Sequence, residues 1–128
     1  MNIIKFNELS THQNNLLSSR VMNLISGHEH ESFFAFENEK FIGFYILQAN
    51  EEYEYFMELI GYNPFLFSEE NGYIYYIETF EKGRLRELLN AMFFHHSTGM
   101  FIVDSNDQDL VKWKAMGASE IGRASCRE

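Results

Sequence analysis

The chain has 128 residues and a net charge of −9, from 19 Asp and Glu against 10 Lys and Arg. That length suits one domain of ordinary size, and the acidic balance leaves no electrostatic footprint for nucleic acid or an anionic membrane surface. No apolar run approaches the roughly 20 residues that span a bilayer, and residues 1–5 put no basic flank before a long apolar core, so a soluble cytoplasmic protein is expected.

Residues 2–8 read as a short strand, and a helix is predicted from Ser10, which with Gln13 has the spacing of a capping box. Leu17, Val21, Leu24 and Ile25 then fall on one face at helical spacing, and Gly27 ends the element. Residues 32–37 and 40–47 are aromatic-rich runs flanking Asn38 and Glu39, the pattern of two strands joined by a tight turn. Residues 50–71 are acidic, aromatic and hold the lone proline, Pro64. They read as an insertion with a short helix near 53–60, and loops of that length are usually functional or disordered.

Strand character resumes over 72–80, where near-continuous aromatic and β-branched residues predict a central strand. A helix is predicted over 83–96 with Leu85, Leu88, Leu89 and Met92 on one face, then a buried strand over 100–103 and a last helix. The strands 72–80 and 100–103 are expected to be parallel neighbours joined by a right-handed crossover through helix 83–96. The alternation of strands and helices implies an α/β (α+β) fold, a mixed central sheet flanked by helices.

Residues 121–128 back-translate into one frame of a widely used sequencing adapter, ATC GGA AGA GCG TCG TGT AGG GAA, and Glu120 as GAG supplies its preceding AG. Residues 120–128 are therefore expected to be a non-native tail, set apart from fold reasoning. The domain is then expected to occupy 1–119, with its last strands missing; the alternative is a natural basic tail. Setting aside the eight residues 121–128, among them Arg123, Arg127 and Glu128, takes Lys plus Arg from 10 to 8, Asp plus Glu from 19 to 18 and the net charge from −9 to −10. Cys126 goes as well, which removes disulfides, zinc–thiolate sites and thiol nucleophiles from consideration.

Three cations, Lys82, Arg84 and Arg86, crowd the start of helix 83–96, where the helix dipole disfavours positive charge. A bound polyphosphate would offset them, and so would the neighbouring Glu78, Glu81 and Glu87 on a solvated helix end. His28 and His30 share a face only on a strand and have no third partner, and His95 and His96 sit where a helix dipole favours cations. No metal site is expected.

The run over 103–118 with Asn106, Trp113, Gly117 and Ala118, the hairpin with Gly43 and the loop over 80–89 with Gly83 resemble segments of the GNAT family of N-acetyltransferases. In the 103–118 run, Asn106, Trp113, Gly117 and Ala118 hold the spacing of the family's Asn, Tyr, Gly and aromatic residue. Gly43 stands where the family's hairpin carries a Gly. In the 80–89 loop, Gly83 falls at the first Gly of the family's pyrophosphate cradle, Phe80 at its Arg or Gln, and Leu85 at its second Gly or Ala. The resemblance implies an acyl-CoA N-acyltransferase-like fold and transfer of an acetyl group from acetyl-coenzyme A to an amine, on a small molecule or a peptide, without a metal. It places cofactor binding at Phe80, Lys82, Gly83, Arg84, Leu85, Arg86 and Asn106. Of the catalytic roles, Glu78 is the candidate base. Trp113 stands at the position of the acid, where an indole N–H can donate a hydrogen bond but not a proton; filling the core is its other reading. The substitutions at Phe80, Leu85 and Trp113 equally suit a degenerate relative that serves as a non-catalytic interaction or structural module.

Overall fold

The computed structural model describes residues 1–48, 72–96, 101–103 and 107–116. The chain divides into two compact units, one of residues 1–47 with 75–97 and one of residues 48–74 with 98–128. The strands are β1 (Asn2–Lys5), β2 (Ser32–Glu37), β3 (Lys40–Gln48), β4 (Gly72–Thr79) and β5 (Phe101–Val103). The helices are α1 (Thr11–Asn15), α2 (Ser19–Ile25), α3 (Leu85–His96) and α4 (Asp107–Ala115). Hydrogen bonding orders the strands β1-β2-β3-β4-β5, so the fold is the mixed α+β sheet with helices that the sequence predicts. Among the described residues no helix is long and apolar enough to cross a membrane.

In the first unit β1 pairs antiparallel with β2, and β2 with β3. The β2–β3 turn has Asn38 at φ 51° and Glu39 at φ 69°, the two positive angles of a turn whose twist matches that of the strands it joins. The register slips between Ala35 and Phe36, which pair with Gly43 and Phe41, so Ile42 is the extra residue of a bulge. Gly43 is needed there for a different reason than flexibility. A Cβ at that position would run into the Glu78 carbonyl, with Thr79 Cα only 3.0 Å away, and Phe80 N–H donates to Ile42 O nearby at 2.9 Å.

β2 is buried throughout Ser32–Phe36 because both of its sides are covered. Successive strand residues point to opposite faces. Phe34, Phe36, Phe44 and Ile46 meet Leu17, Val21 and Ile25 of the α1–α2 segment on one face. On the other, Phe33 and Tyr45 meet His95 and His96 of α3, whose Leu88, Leu89 and Met92 are buried. Burial of each large apolar side chain contributes about 1.5–3 kcal/mol, which makes these two layers the main support of the first unit.

Several predicted boundaries move. The first strand stops at Lys5 rather than at residue 8, because residues 6–8 form a 3-10 turn in which Leu9 N–H donates to Phe6 O at 3.3 Å. The helix from Ser10 is two helices. Ser10 and Gln13 do form the capping box, but Ser18 caps a second start by accepting from Val21 N–H at 3.2 Å, and a Ser that satisfies a helix N-terminus competes with continuing the helix before it. Gly27, at φ 84°, follows the end of α2. Helix 83–96 begins at Leu85, since Gly83 at φ 82° cannot be helical.

In the second unit Gly72, Tyr73 and Ile74 pair with Phe101, Ile102 and Val103. This pairing is parallel, the arrangement expected of strands separated by a helix in the sequence. The insertion over 50–71, its helix near 53–60, Gly117, Ala118 and the tail over 120–128 lie outside the described residues.

Candidate functional site

The 78–87 stretch runs from the end of β4 through the Gly83 turn into α3, and it holds most of the charged candidates. Gly83 needs to be glycine for its left-handed φ, and the space around it is open: a Cβ there would meet nothing within 4 Å. Arg84 N–H donates to Glu81 O at 3.3 Å, and Arg84 O accepts the first helical bond from Leu88 N–H at 3.1 Å. The N–H groups of the first turn beyond Arg84 have no acceptor within the helix, as at any helix start.

Arg84 is enclosed by carboxylates. Its Nε donates to Glu87 at 2.8 Å, one terminal nitrogen to Glu81 at 2.7 Å, and the other to Glu37 and Glu87, each at 3.0 Å. The side chain is only 19% exposed. Hydrogen bonds to Glu87, then Glu37 and Glu81, raise its pKa above the ordinary value. The positive charge that a helix start disfavours is thus offset by Glu87 of α3 itself, Glu81 of the turn and Glu37 of β2. Glu81 also takes an ion pair from Lys40 of β3, and bonds first from Lys40 and then from Arg84 hold its carboxyl below the usual range. Lys82 and Arg86 are exposed, Leu85 is half-buried, and Phe80 is partly exposed with its ring 4.9 Å from that of Phe41.

Glu78 stands in a second cluster on the same strand end. Both its oxygens accept from Arg20 of α2, at 3.0 and 2.7 Å, and Tyr76 O–H donates to Oε1 at 2.9 Å. The hydrogen bonds from Arg20 are the main cause that lowers the Glu78 pKa, with burial opposing and Tyr76 assisting. A carboxylate so held is ionised and oriented. Sequence inspection singles out Glu78 but not its partners, because Arg20 is 58 residues away and nothing in the local pattern couples the two.

A third polar contact lies under α3. Tyr45 is fully buried, and its hydroxyl is 2.6 Å from His96 Nε2. Burial raises the Tyr45 pKa, so the phenol keeps its proton and donates it. Burial, with smaller contributions from His95 and Lys5, pushes His96 down to about 4. This corrects the helix-dipole account of His96: a dipole favours the imidazolium, whereas here the ring is neutral because its surroundings are apolar.

Among the described residues no group of three or more His, Cys, Asp or Glu comes together to hold a metal ion. His28 instead contacts Glu31 at 3.0 Å and the ring of Tyr75 at 4.9 Å. Phe80, Lys82, Gly83, Arg84, Leu85 and Arg86 are therefore contiguous with Glu78 in the first unit. Trp113 belongs to α4 of the second unit, where it is half-buried and its carbonyl accepts from Met116 N–H at 3.1 Å. Asn106 lies outside the described residues.

No family model matches the chain, and no curated protein matches it. Among solved structures, an N-acetyltransferase from Staphylococcus aureus Mu50 is similar over 86% of this chain and 81% of its own, with 16% sequence identity and a TM-score of 0.49. A likeness of that degree carries no argument about the reaction.

Proposed function

We propose that this chain is an acyltransferase that moves an acetyl group from acetyl-coenzyme A to an amine, within a single domain over residues 1–119 and in the cytoplasm. The observation that carries the reading is the succession of β4, a left-handed Gly83 with open space beside it, α3 and a strand parallel to β4. A glycine turn into a helix start lets backbone N–H groups approach phosphate oxygens at the positive end of the helix dipole. The donor chemistry fits in part. Lys82 and Arg86 are exposed beside that start, and Arg84, engaged by three carboxylates, is suited to holding the loop rather than to facing a phosphate.

Acetyl-coenzyme A, when bound, supplies an activated thioester. The residues of the chain would do the rest: Lys82, Arg86 and the α3 N–H groups would hold the pyrophosphate, Phe80 and Leu85 would line the loop, and Glu78 would accept the proton of the acceptor nitrogen as the new N–C bond forms and the thioester C–S bond breaks to release the thiolate. For Trp113 and Asn106, roles in steadying the departing thiolate and binding the cofactor rest on sequence position alone. The acidic balance suits a cationic acceptor, a polyamine or a Lys-rich peptide.

A non-catalytic module is favoured by one observation, the enclosure of Arg84 by Glu37, Glu81 and Glu87, which spends a cation the cradle would use. Titration calorimetry with coenzyme A separates the two. Binding that weakens roughly tenfold in Lys82→Ala, the loss of one partly exposed charged hydrogen bond, supports the enzyme. Absence of binding by the complete chain removes it.

A further inference from the structure

Glu78 has a feature that the proposed reaction does not itself require. Its two oxygens offer about four acceptor sites, and among the described residues three are filled. Oε1 accepts from both Arg20 and Tyr76, while Oε2 accepts once, from Arg20. The remaining site is on Oε2. We infer that Arg20 is a positioning residue for Glu78: the two-pronged contact fixes the carboxylate plane and leaves Oε2 as the atom that receives the acceptor's proton. This inference rests on the reading of Glu78 as the base.

The geometry suits this role better than that of an ordinary surface pair. A guanidinium fork meets both carboxylate oxygens in parallel and so sets an orientation, which an ammonium cannot do. The pair also ties α2 to β4 across 58 residues of sequence. Exposed ion pairs contribute little to stability, and Arg20 is 55% exposed against 26% for Glu78, so a purely structural purpose would gain little. Among the described residues the titratable groups at the Glu78 carboxylate are Arg20 of α2 and Tyr76 of β4, while Gly43 of β3 lies against the Glu78 backbone and does not titrate. Arg20 lowers the Glu78 pKa, which keeps the carboxylate deprotonated to lower pH. As the N–C bond forms and the thioester C–S bond breaks, coenzyme A would leave as its thiolate, and the proton passes from the acceptor nitrogen to Oε2 and from there to solvent, so the step leaves no net change on the enzyme.

The test pairs a pH–rate profile for acetyl transfer to a polyamine with carbon-13 NMR titration of the Glu78 carboxyl, in the full chain and in Arg20→Ala and Arg20→Lys. Loss of Arg20 should move the Glu78 titration and the acid limb of kcat/KM together to higher pH, with Arg20→Lys restoring the position only in part because it cannot fork. Added salt should weaken the effect of Arg20, since the contact is half-exposed. A Glu78 titration that does not move in Arg20→Ala overturns the inference whatever the turnover. So does an acid limb that stays in place while kcat falls at every pH, the pattern of a merely structural residue. If the titration moves but the full chain transfers no acetyl group, the acetyltransferase reading fails and the base role inferred here fails with it, while Arg20 remains the group that holds Glu78 ionised.

Discussion

Against α2 and the turn before it the sheet presents Phe34, Phe36, Phe44 and Ile46, and the contact is hydrocarbon on hydrocarbon with the Arg20–Glu78 pair at its rim. Against α3 it presents Phe33 and Tyr45, and there a hydrogen bond to His96 is set among aromatic rings. The first layer draws its stability from apolar area, which does not depend on protonation. The second adds a group that must stay neutral to remain buried. Two faces of one hairpin are therefore expected to respond to different perturbations, one to lost volume and the other to acid.

The largest effect should come from the apolar face. Phe34 is fully buried and packs near the rings of Phe6, Phe41 and Phe44, so Phe34→Ala should cost about 3–5 kcal/mol through lost transfer energy and a residual cavity. Urea unfolding should report that loss unchanged between pH 5 and pH 8. A strong pH dependence of the increment would erase the distinction between the faces.

Acid is the test of the other face. His96 has an ordinary pKa of 6.5 that folding pushes down to about 4, so the unfolded chain binds the proton more readily. Stability from this site is fully present above pH 6.5, falls as the pH drops toward 4, and is flat below that. After discount for partial exposure the loss is about 1–2 kcal/mol. Following thermal unfolding against pH in the parent and in His96→Phe should show this component only in the parent. An equal acid slope in both would place the sensitivity elsewhere.

The smallest effect belongs to the local devices that hold α2 in place. Ser18→Ala removes the hydroxyl that accepts from Val21 N–H and should cost about 1 kcal/mol, with Ser18→Asp nearly neutral. A loss several times larger, seen in chemical unfolding, would mean that the cap sets the packing of the whole apolar face rather than one helix start.

The features legible in the sequence share a short range. The Ser10–Gln13 box, the turn at Asn38 and Glu39 and the apolar spacing of Leu88, Leu89 and Met92 each involve residues within about one or two helical turns, where backbone geometry fixes which groups can meet. The break between α1 and α2 was hidden because apolar residues at 17, 21, 24 and 25 suit one long helix as well as two short ones, and Ser18 is a cap only if the chain turns there. At the candidate site the glycine and the basic cluster were visible, but the meaning of that cluster was not, because Glu37 is 47 residues from Arg84.

What the sequence determined by itself was the order and type of most of the described elements, since periodicity and capping are properties of neighbouring residues. Only the tertiary structure decided which charges meet. Arg20 with Glu78, Arg84 with Glu37 and Tyr45 with His96 are joined across 58, 47 and 51 residues. A carboxylate or an imidazole takes its protonation from whatever the folded chain brings within a few ångströms of it, and that neighbourhood does not exist until the sheet has formed.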